Sequence, residues 1–233
     1  MNQEKSILKR SGHWVFDEGV SRIFDSHIRK SLPCYDEIQA LIGAISKEVL
    51  TDNAFVYDIG TATGEAILSI HKANPDKNIS FVGIDNSLEM LKKAKEKCKN
   101  VKNVSFHHES AELFDYGPSD LVIAAFTLQF LLPEKREALL QKIRSSLKPN
   151  SFLILCEKIT FDCEFTNNMI EKLHEKWKLN YYTEAEVLAK KKSLINVMHP
   201  VSLEQNIESL KNTGFSSVNT FFQWGNFVCI LAR

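Results

Sequence analysis

The chain has 233 residues, 44% of them hydrophobic, and its 29 basic and 29 acidic residues give a formal net charge of zero. This length is enough for one well-buried core but small for two full domains. Because proteins that bind a nucleic-acid backbone usually carry a basic surplus, the balanced charge disfavours direct contact with nucleic acid.

The five cysteines are odd in number and scattered, and no pair has C-x-x-C spacing. This pattern predicts reduced thiols rather than a disulfide framework or a zinc site. The first residues, MNQEKSILKRSGHW, contain no apolar core of a signal peptide, and no apolar run approaches the roughly 18 residues of a membrane span. We therefore expect a cytoplasmic protein with no metal and no membrane contact.

Two helices are predicted at the start of the chain. Residues 16–30 place apolar side chains at helical spacing, and Pro33 ends that helix. A second helix is predicted over residues 35–50. Together, residues 1–50 are expected to form an N-terminal helical lid.

The next segment, residues 51–162, alternates between short apolar runs and helical patterns. The predicted strands cover residues 53–60, 79–87, 104–110, 120–126 and 151–159. The predicted helices between them cover residues 64–73, 87–100 and 133–147. Alternation of this kind is typical of a parallel, doubly wound sheet.

The alternation ends after residue 162. Residues 163–213 are predicted to be a mostly helical insertion, and residues 214–233 to form a β-hairpin that completes the sheet. Its strands would cover 217–223 and 226–232, with Trp224 and Gly225 between them. One of the two must run antiparallel to the other strands, and all four segments are expected to form one domain.

The stretch VYDIGTATGEAI places Asp58 near the end of the first strand and Gly60 and Gly64 in the turn that follows. Glycines there would let a ligand approach the backbone, and Gly64 would let the next helix start close to the sheet. A dinucleotide loop would have glycine at positions 62 and 65, where this chain has Ala62 and Glu65. The loop therefore predicts a cofactor without phosphates.

Asp85 ends the second predicted strand, 25 residues after Gly60. A carboxylate there can accept hydrogen bonds from two ribose hydroxyls and would repel a phosphorylated ribose. An aspartate after a strand can also be a simple helix N-cap, a role that Asn86 or Ser87 could fill equally well.

Five βα units followed by an antiparallel hairpin resemble the class I S-adenosylmethionine (SAM)-dependent methyltransferases. The resemblance implies a Rossmann-like α/β fold with a seven-stranded, mostly parallel sheet and a helical lid. It also implies that SAM is the cofactor, with its amino-acid end held by Asp58 and the loop after it.

A closer resemblance, to the carboxy-SAM synthase family, runs from about Trp14 to Leu231. The stretches that carry it are FDEGVSRIFDSHIRKSLPCY, FTLQFL, KREALLQKI, CEKITF, NVM and FQWGNF. This family is implied to be a cytoplasmic homodimer that converts SAM and prephenate into carboxy-SAM. Its product feeds a partner enzyme that modifies a wobble uridine of transfer RNA.

Carried over residue by residue, the resemblance implies several cofactor contacts in this chain. They fall on Tyr35, Gly60, Thr61, Ala62, Asp85, Asn86, Ser110 and Ala111. Tyr35 would stack on the cofactor, or hydrogen-bond to it, from the N-terminal lid.

Three positions depart from the family pattern. Ala125 replaces an asparagine at the cofactor's reactive end, and Lys191 replaces an arginine that binds the carboxylate of carboxy-SAM. Lysine cannot make arginine's two-pronged contact with a carboxylate. Ser110 stands where an acidic residue would hold the adenine amine. Lys191 is thus predicted to face the substrate, although the run KKK could also be a solvated helix face.

These departures favour a methyltransferase that acts on a small molecule over carboxy-SAM synthesis. SAM cleavage or cyclisation by its own amine, and a SAM-binding protein without turnover, remain open. No catalytic residue is assigned, since none of the candidate bases stands out. Those candidates are His13, His107, His108 and Glu157.

Overall fold

The computed structural model describes residues 16–233, so the predicted base His13 and the first part of the predicted lid lie outside the described residues. The helices are α1 (Glu18–Arg29), α2 (Tyr35–Val49), α3 (Glu65–Ala73), α4 (Leu88–Lys97), α5 (Pro133–Ser146), α6 (Glu164–Lys178), α7 (Glu184–Ser193) and α8 (Leu203–Asn212). A short 3₁₀ helix spans Leu128–Phe130. Within the described range, no helix has the length and apolar character needed to cross a bilayer.

Seven strands form one sheet in the order β3-β2-β1-β4-β5-β7-β6. They are β1 (Phe55–Ile59), β2 (Ser80–Asp85), β3 (Val104–His108), β4 (Ser119–Ala125), β5 (Leu147–Lys158), β6 (Val218–Trp224) and β7 (Phe227–Ala232). Strands β1 to β5 run parallel, whereas β7 is antiparallel to both β5 and β6. The predicted fold, a mostly parallel sheet completed by an antiparallel hairpin, is confirmed.

The turn of the hairpin lies one residue later than predicted. Trp224 pairs with Phe227, so Gly225 and Asn226 form the two-residue turn, and Gly225 has a φ of +52°. The left-handed conformation at Gly225 suits a tight turn, and Trp224 belongs to β6. Strand β5 also begins earlier than predicted, at Leu147, immediately after α5.

Side-chain caps fix where several helices begin. The Asp17 carboxylate accepts a hydrogen bond from the Val20 N–H at the start of α1. Of the two possible caps before α4, Ser87 is used, because its hydroxyl accepts from the Met90 N–H. A cap of this kind satisfies a backbone donor that has no partner inside the helix.

The core lies on both faces of the sheet, where α2 and α3 cover one face and α5 and α8 cover the other. The insertion helix α6 is different, since His174 is its one buried side chain. Its apolar residues Met169 and Leu173 are 43% and 52% exposed. The prediction of a mostly helical segment here is confirmed, and Met169 and Leu173 are turned away from the core.

Candidate functional site

A cavity of about 920 Å³ lies beyond the carboxyl ends of β1, β2, β4 and β5. Its wall combines the loops after these strands with side chains from α1, α2, α6 and α7. All predicted site residues line it: Tyr35, Asp58, Gly60, Thr61, Ala62, Asp85, Asn86, Ser110, Ala111, Ala125 and Lys191. The structure brings them together, while their individual roles stay predictions.

Protein neighbours already require glycine at the two loop positions. Gly60 has a φ of +67°, and a Cβ there would lie 2.3 Å from the Thr127 hydroxyl oxygen. Gly64 has a φ of +80°, and its Cβ would lie 2.8 Å from Cys98 Sγ. We had expected Gly64 to allow a close approach to the sheet. Because Cys98 follows α4, Gly64 instead allows a close approach of that helix.

Asp85 ties the loop to the end of β2. Its two carboxylate oxygens accept the Ala62 N–H at 2.9 Å and the Ser87 N–H at 2.8 Å. Ala62 has a φ of +47°, an uncommon conformation for a residue with a Cβ. A carboxylate has further lone pairs, so these contacts leave Asp85 able to accept ribose hydroxyls as predicted.

Asp58 lies deeper, with 3% of its surface exposed. Its carboxylate accepts a hydrogen bond of 2.6 Å from the Thr61 hydroxyl. Burial, opposed by this hydrogen bond and assisted by the charge of Asp85, raises the pKa of Asp58 to about 7. A cationic ligand group at this point would be stabilised by the ionised carboxylate.

Two histidines join the N-terminal helices to the helical insertion. His27 Nδ1 on α1 lies 2.9 Å from the Tyr182 hydroxyl, and His174 Nε2 on α6 lies 2.9 Å from the Ser31 carbonyl oxygen. A carbonyl oxygen can only accept, so His174 Nε2 donates. Burial above all, assisted by nearby lysines, lowers the pKa of both histidines to about 3. These neutral contacts hold the two segments together across the cavity.

A second set of contacts attaches α1 to the loop and to α4. Asp25 accepts hydrogen bonds from the Thr63 hydroxyl at 2.5 Å and from Lys97 Nζ at 2.8 Å. Lys97 also pairs with Glu65 at the start of α3. We call Asp25, Thr63 and Lys97 the α1 clasp.

The part of the cavity wall formed by the end of β5 and by the insertion is rich in lysine, and we call Lys158, Lys178 and Lys190 the lysine wall. Lys158, Lys178 and Lys190 line the cavity, and burial lowers the pKa of each, to about 8 for Lys178. Lys158 lies 3.8 Å from Glu171. Within residues 16–233, Lys178 makes no ion pair with a carboxylate.

Lys191, the residue predicted to face the substrate, is engaged elsewhere. Its Nζ contacts Glu171 at 3.1 Å and Glu175 at 2.8 Å, and its side chain is half exposed. Two carboxylates beside one ammonium group raise the pKa of Lys191 and neutralise its charge. Lys191 lies at the cavity, but its cation already has protein partners.

The adenine side of the predicted site contains an acidic group after all. Ser110 replaces the family's acidic residue, but its hydroxyl lies 3.3 Å from the carboxylate of Glu112, which also lines the cavity. Ala125, at the predicted position of the cofactor's reactive end, presents only a methyl group to the cavity. The candidate bases His107, His108 and Glu157 do not line the cavity, so they are not placed to reach a ligand there.

Sequence reasoning missed several residues of this wall, namely Gln39, His27, His174, Lys158 and Lys178. Lys158 could have been found, because it ends β5 at the edge of the sheet where ligands bind in open α/β folds. The others lie on helices whose orientation toward the cavity is set by tertiary packing.

The residues present fit SAM. A volume of about 920 Å³ is near the upper end of the roughly 300–1,000 Å³ range of ligand pockets, so a second small molecule can share the space. Asp58 offers an acceptor for an ammonium group, and the first N–H groups of α3 offer donors for a carboxylate. Asp85 lies next along the sheet, in place for a ribose.

Comparison with known proteins agrees with this fold. A methyltransferase-domain family model matches residues 56–150. A putative O-methyltransferase from Nostoc punctiforme has a TM-score of 0.66 at 18% identity, over 97% of this chain and 65% of that one. Human N-acetylserotonin methyltransferase, solved with SAM, has a TM-score of 0.64 at 16% identity, over 93% of this chain and 56% of its own. The family model together with the fold indicates a SAM-dependent enzyme of the class I methyltransferase type. The chain spans less than two thirds of these two solved proteins.

Relatives across nearly the whole chain narrow this class. Carboxy-S-adenosyl-L-methionine synthase from Actinobacillus succinogenes is 35% identical over 97% of this chain and 95% of its own length. The enzyme of the same name from Campylobacter fetus is 37% identical over 93% of both chains. This chain belongs to the carboxy-SAM synthase family, and its cofactor is SAM.

Proposed function

We propose that this protein transfers the methyl group of SAM to a small anionic molecule. The observation that carries the proposal is the ammonium group of Lys178, which lines the cavity without an ion-pair partner in residues 16–233. Burial, together with the nearby charges of Lys158 and Lys191 and against the opposing charges of Glu175 and Glu171, lowers its pKa to about 8. An anion entering the cavity would offset this unfavourable environment. The lysine wall therefore favours a second substrate that carries a carboxylate or a similar group.

Bound SAM supplies a methyl group on a sulfonium centre that a nucleophile can displace. For such a displacement the protein chiefly provides alignment, which can account for about 7–11 kcal/mol of a barrier. In this cavity Lys178 would hold the anionic end of the acceptor, and α1 and α6 would exclude water. The pKa of about 3 makes both cavity histidines, His27 and His174, weak proton acceptors, so no general base is assigned.

Carboxy-SAM synthesis is the second candidate, favoured by relatives with that name at 35–37% identity. Two features of the cavity argue against it. Ala125 has no polar group for the reactive end of the cofactor, and the ammonium of Lys191 is already paired with Glu171 and Glu175. The second substrate of carboxy-SAM synthesis, prephenate, is also a small anion. The lysine wall alone therefore does not distinguish carboxy-SAM synthesis from methyl transfer.

An analysis of the reaction products distinguishes methyl transfer from carboxy-SAM synthesis. The purified protein would be incubated with SAM alone, with SAM and prephenate, and with SAM and a panel of small carboxylic acids, and SAM-derived products would be identified by mass spectrometry. We expect S-adenosylhomocysteine together with a methylated acid. Carboxy-SAM would establish the second candidate instead, and methylthioadenosine from SAM alone would establish cleavage or cyclisation.

Matched variants connect the product to the wall. Lys178→Met should raise the KM for the acid by about tenfold, the loss of one charge-assisted contact. Lys176→Met is the control, since Lys176 is exposed on the same helix and does not line the cavity. The double variant Ala125→Asn and Lys191→Arg restores the family's residues and should gain some carboxy-SAM formation. Equal KM values in the two single variants would refute the role of Lys178.

A further inference from the structure

The side chain of Gln39 is a buried amide with an unmet hydrogen bond. Gln39 is 5% exposed, and its carbonyl oxygen Oε1 has no hydrogen-bond partner. Buried amides are normally paired, because an unpaired one loses its hydrogen bonds to water and gains nothing in return. An exception of this kind requires a physical explanation.

The position of Gln39 supplies one. Four other buried polar atoms lack a partner in residues 16–233, and they belong to Asn74, Arg136, Glu157 and Asn226. None of these four residues lines the cavity, whereas Gln39 does. The unmet oxygen of Gln39 therefore belongs to a residue of this cavity's wall, whereas the other four belong to residues away from this cavity.

The packing of α2 against α3 shows which part of the cavity Gln39 faces. A Cβ on Gly43 of α2 would lie 2.9 Å from the Ser69 carbonyl oxygen of α3, and three residues further along α2 the Ser46 hydroxyl accepts a hydrogen bond from Asn74. The two helices thus run side by side in the same direction. One turn before Gly43, Gln39 lies opposite the first turn of α3, where backbone N–H groups have no partner within the helix.

Tyr35 lies one turn before Gln39 on the same face of α2 and also lines the cavity. The charges of Asp58 and Glu65 act on its hydroxyl group. Gln39 therefore belongs to the group of side chains around Asp58 and the start of α3, which is the part of the cavity predicted to hold the amino-acid end of SAM.

We propose that Gln39 contacts the amino-acid end of SAM and helps the protein select ligands that carry it. A carboxamide has both a donor and an acceptor, so it can bind an ammonium or a carboxylate group. The contact satisfies the amide when the cofactor is bound. The proposal depends on SAM as the cofactor but not on the identity of the second substrate.

The test compares two ligands by calorimetry, with no second substrate present. S-adenosylhomocysteine carries the amino-acid end, and 5′-methylthioadenosine lacks it. In Gln39→Met the Kd for S-adenosylhomocysteine should rise about tenfold or more, as for a lost hydrogen bond to a charged group, while the Kd for methylthioadenosine stays within about twofold. Gln39→Asn, which keeps a shorter amide, should lose less selectivity.

Ser46→Ala is the matched control, because Ser46 lies on the same face of α2 but beyond the cavity. It should alter the melting temperature and leave the ratio of the two Kd values unchanged. The proposal would be overturned if Gln39→Met changed the affinity for both ligands by the same factor. It would also be overturned if the affinity for both ligands stayed the same. A product other than the one proposed above would leave this contrast intact, so the two proposals fail separately.

Discussion

Asp85 has one role that the structure shows and a second role that is predicted. Its carboxylate accepts the Ala62 and Ser87 N–H groups and so shapes the loop, and the predicted ribose contact would use the remaining lone pairs. Asp85→Ala should weaken S-adenosylhomocysteine binding by about 1–3 kcal/mol. Asp85→Asn keeps one acceptor and should lose less. Calorimetry would measure both, with Asp115→Asn, exposed and outside the cavity, as control.

Asp58 should make ligand binding depend on pH. Its pKa is raised to about 7 by burial, so in the unliganded protein the carboxyl is increasingly protonated below that pH. Affinity for S-adenosylhomocysteine should therefore fall as the pH drops from about 8 to 6, because a neutral carboxyl attracts an ammonium group less strongly. Asp58→Asn should bind weakly with a flatter pH profile. A wild-type affinity that does not change over this range would contradict the assignment.

The same shift affects folding with a definite sign. A carboxyl whose folded-state pKa is above its unfolded value stabilises the folded protein below the unfolded value of 3.8. This contribution is lost as the pH rises through about 7. Asp58 thus lowers stability at the pH at which its charge is needed for binding, which is common for groups in ligand sites.

Gly60 should tolerate no side chain. A Cβ there meets the Thr127 hydroxyl oxygen at 2.3 Å, and the φ of +67° is strained for alanine. Gly60→Ala should lower the free energy of unfolding by at least about 2 kcal/mol. Gly117→Ala is the control, because its nearest neighbour would be the Tyr57 hydroxyl oxygen at 3.5 Å. Denaturant unfolding of both variants checks this, and equal stability would show that Thr127 can move aside.

Sequence patterns predicted the loop residues better than the substrate-side residues. Asp58, Gly60 and Asp85 lie at or just after the ends of strands whose apolar runs are visible in the sequence, so their meeting at one edge of the sheet could be foreseen. The partners of Lys191 could not, because Glu171 and Glu175 lie 20 and 16 residues away on another helix. Gln39 was missed for a similar reason, since tertiary packing decides which side of α2 faces the cavity.

At the scale of elements, the periodicity of the chain predicted helices α1 to α5 and the seven strands to within about four residues, and residues 163–213 only as a mostly helical segment. The exceptions have local causes. The turn at Gly225 and Asn226 was misplaced by one residue because the aromatic run continues through Trp224 into β6. Strand β5 was predicted too late because Lys148, Pro149 and Asn150, which follow its first residue Leu147, are exposed and break the apolar run.

The α1 clasp should control how firmly α1 closes on the cavity. Asp25→Asn weakens the contacts to Thr63 and Lys97, so amide hydrogen exchange in residues 18–29 should rise in the unliganded protein. The effect on global stability should stay below about 2 kcal/mol, because the pair with Lys97 is partly exposed. Glu18→Gln is the control, since it removes only an exposed ion pair with Arg22 on the same helix. Unchanged exchange in α1 would show that other contacts hold it.

At the scale of the whole molecule, the homodimer implied by the family resemblance stays a prediction. The apolar face of α6 is the surface on which we would test it, because Phe165 is 76% exposed and Met169 and Leu173 lie one and two turns further on. Light scattering should give twice the mass of one chain for the wild type and a monomer for Phe165→Glu with Met169→Glu. Leu113→Glu is the control, since Leu113 is equally exposed, at 74%, on another surface.

The strand order at one edge of the sheet sets a limit on when the protein can finish folding during synthesis. In the order β5-β7-β6, strand β6 has one neighbour, β7, and the ribosome makes β6 first. Strand β6 therefore emerges from the ribosome slightly before β7 and stays unpaired until β7 has also emerged. Phe227, the first residue of β7, also lines the cavity. A nascent chain that already contains the cofactor loop cannot complete its ligand site until this hairpin has emerged.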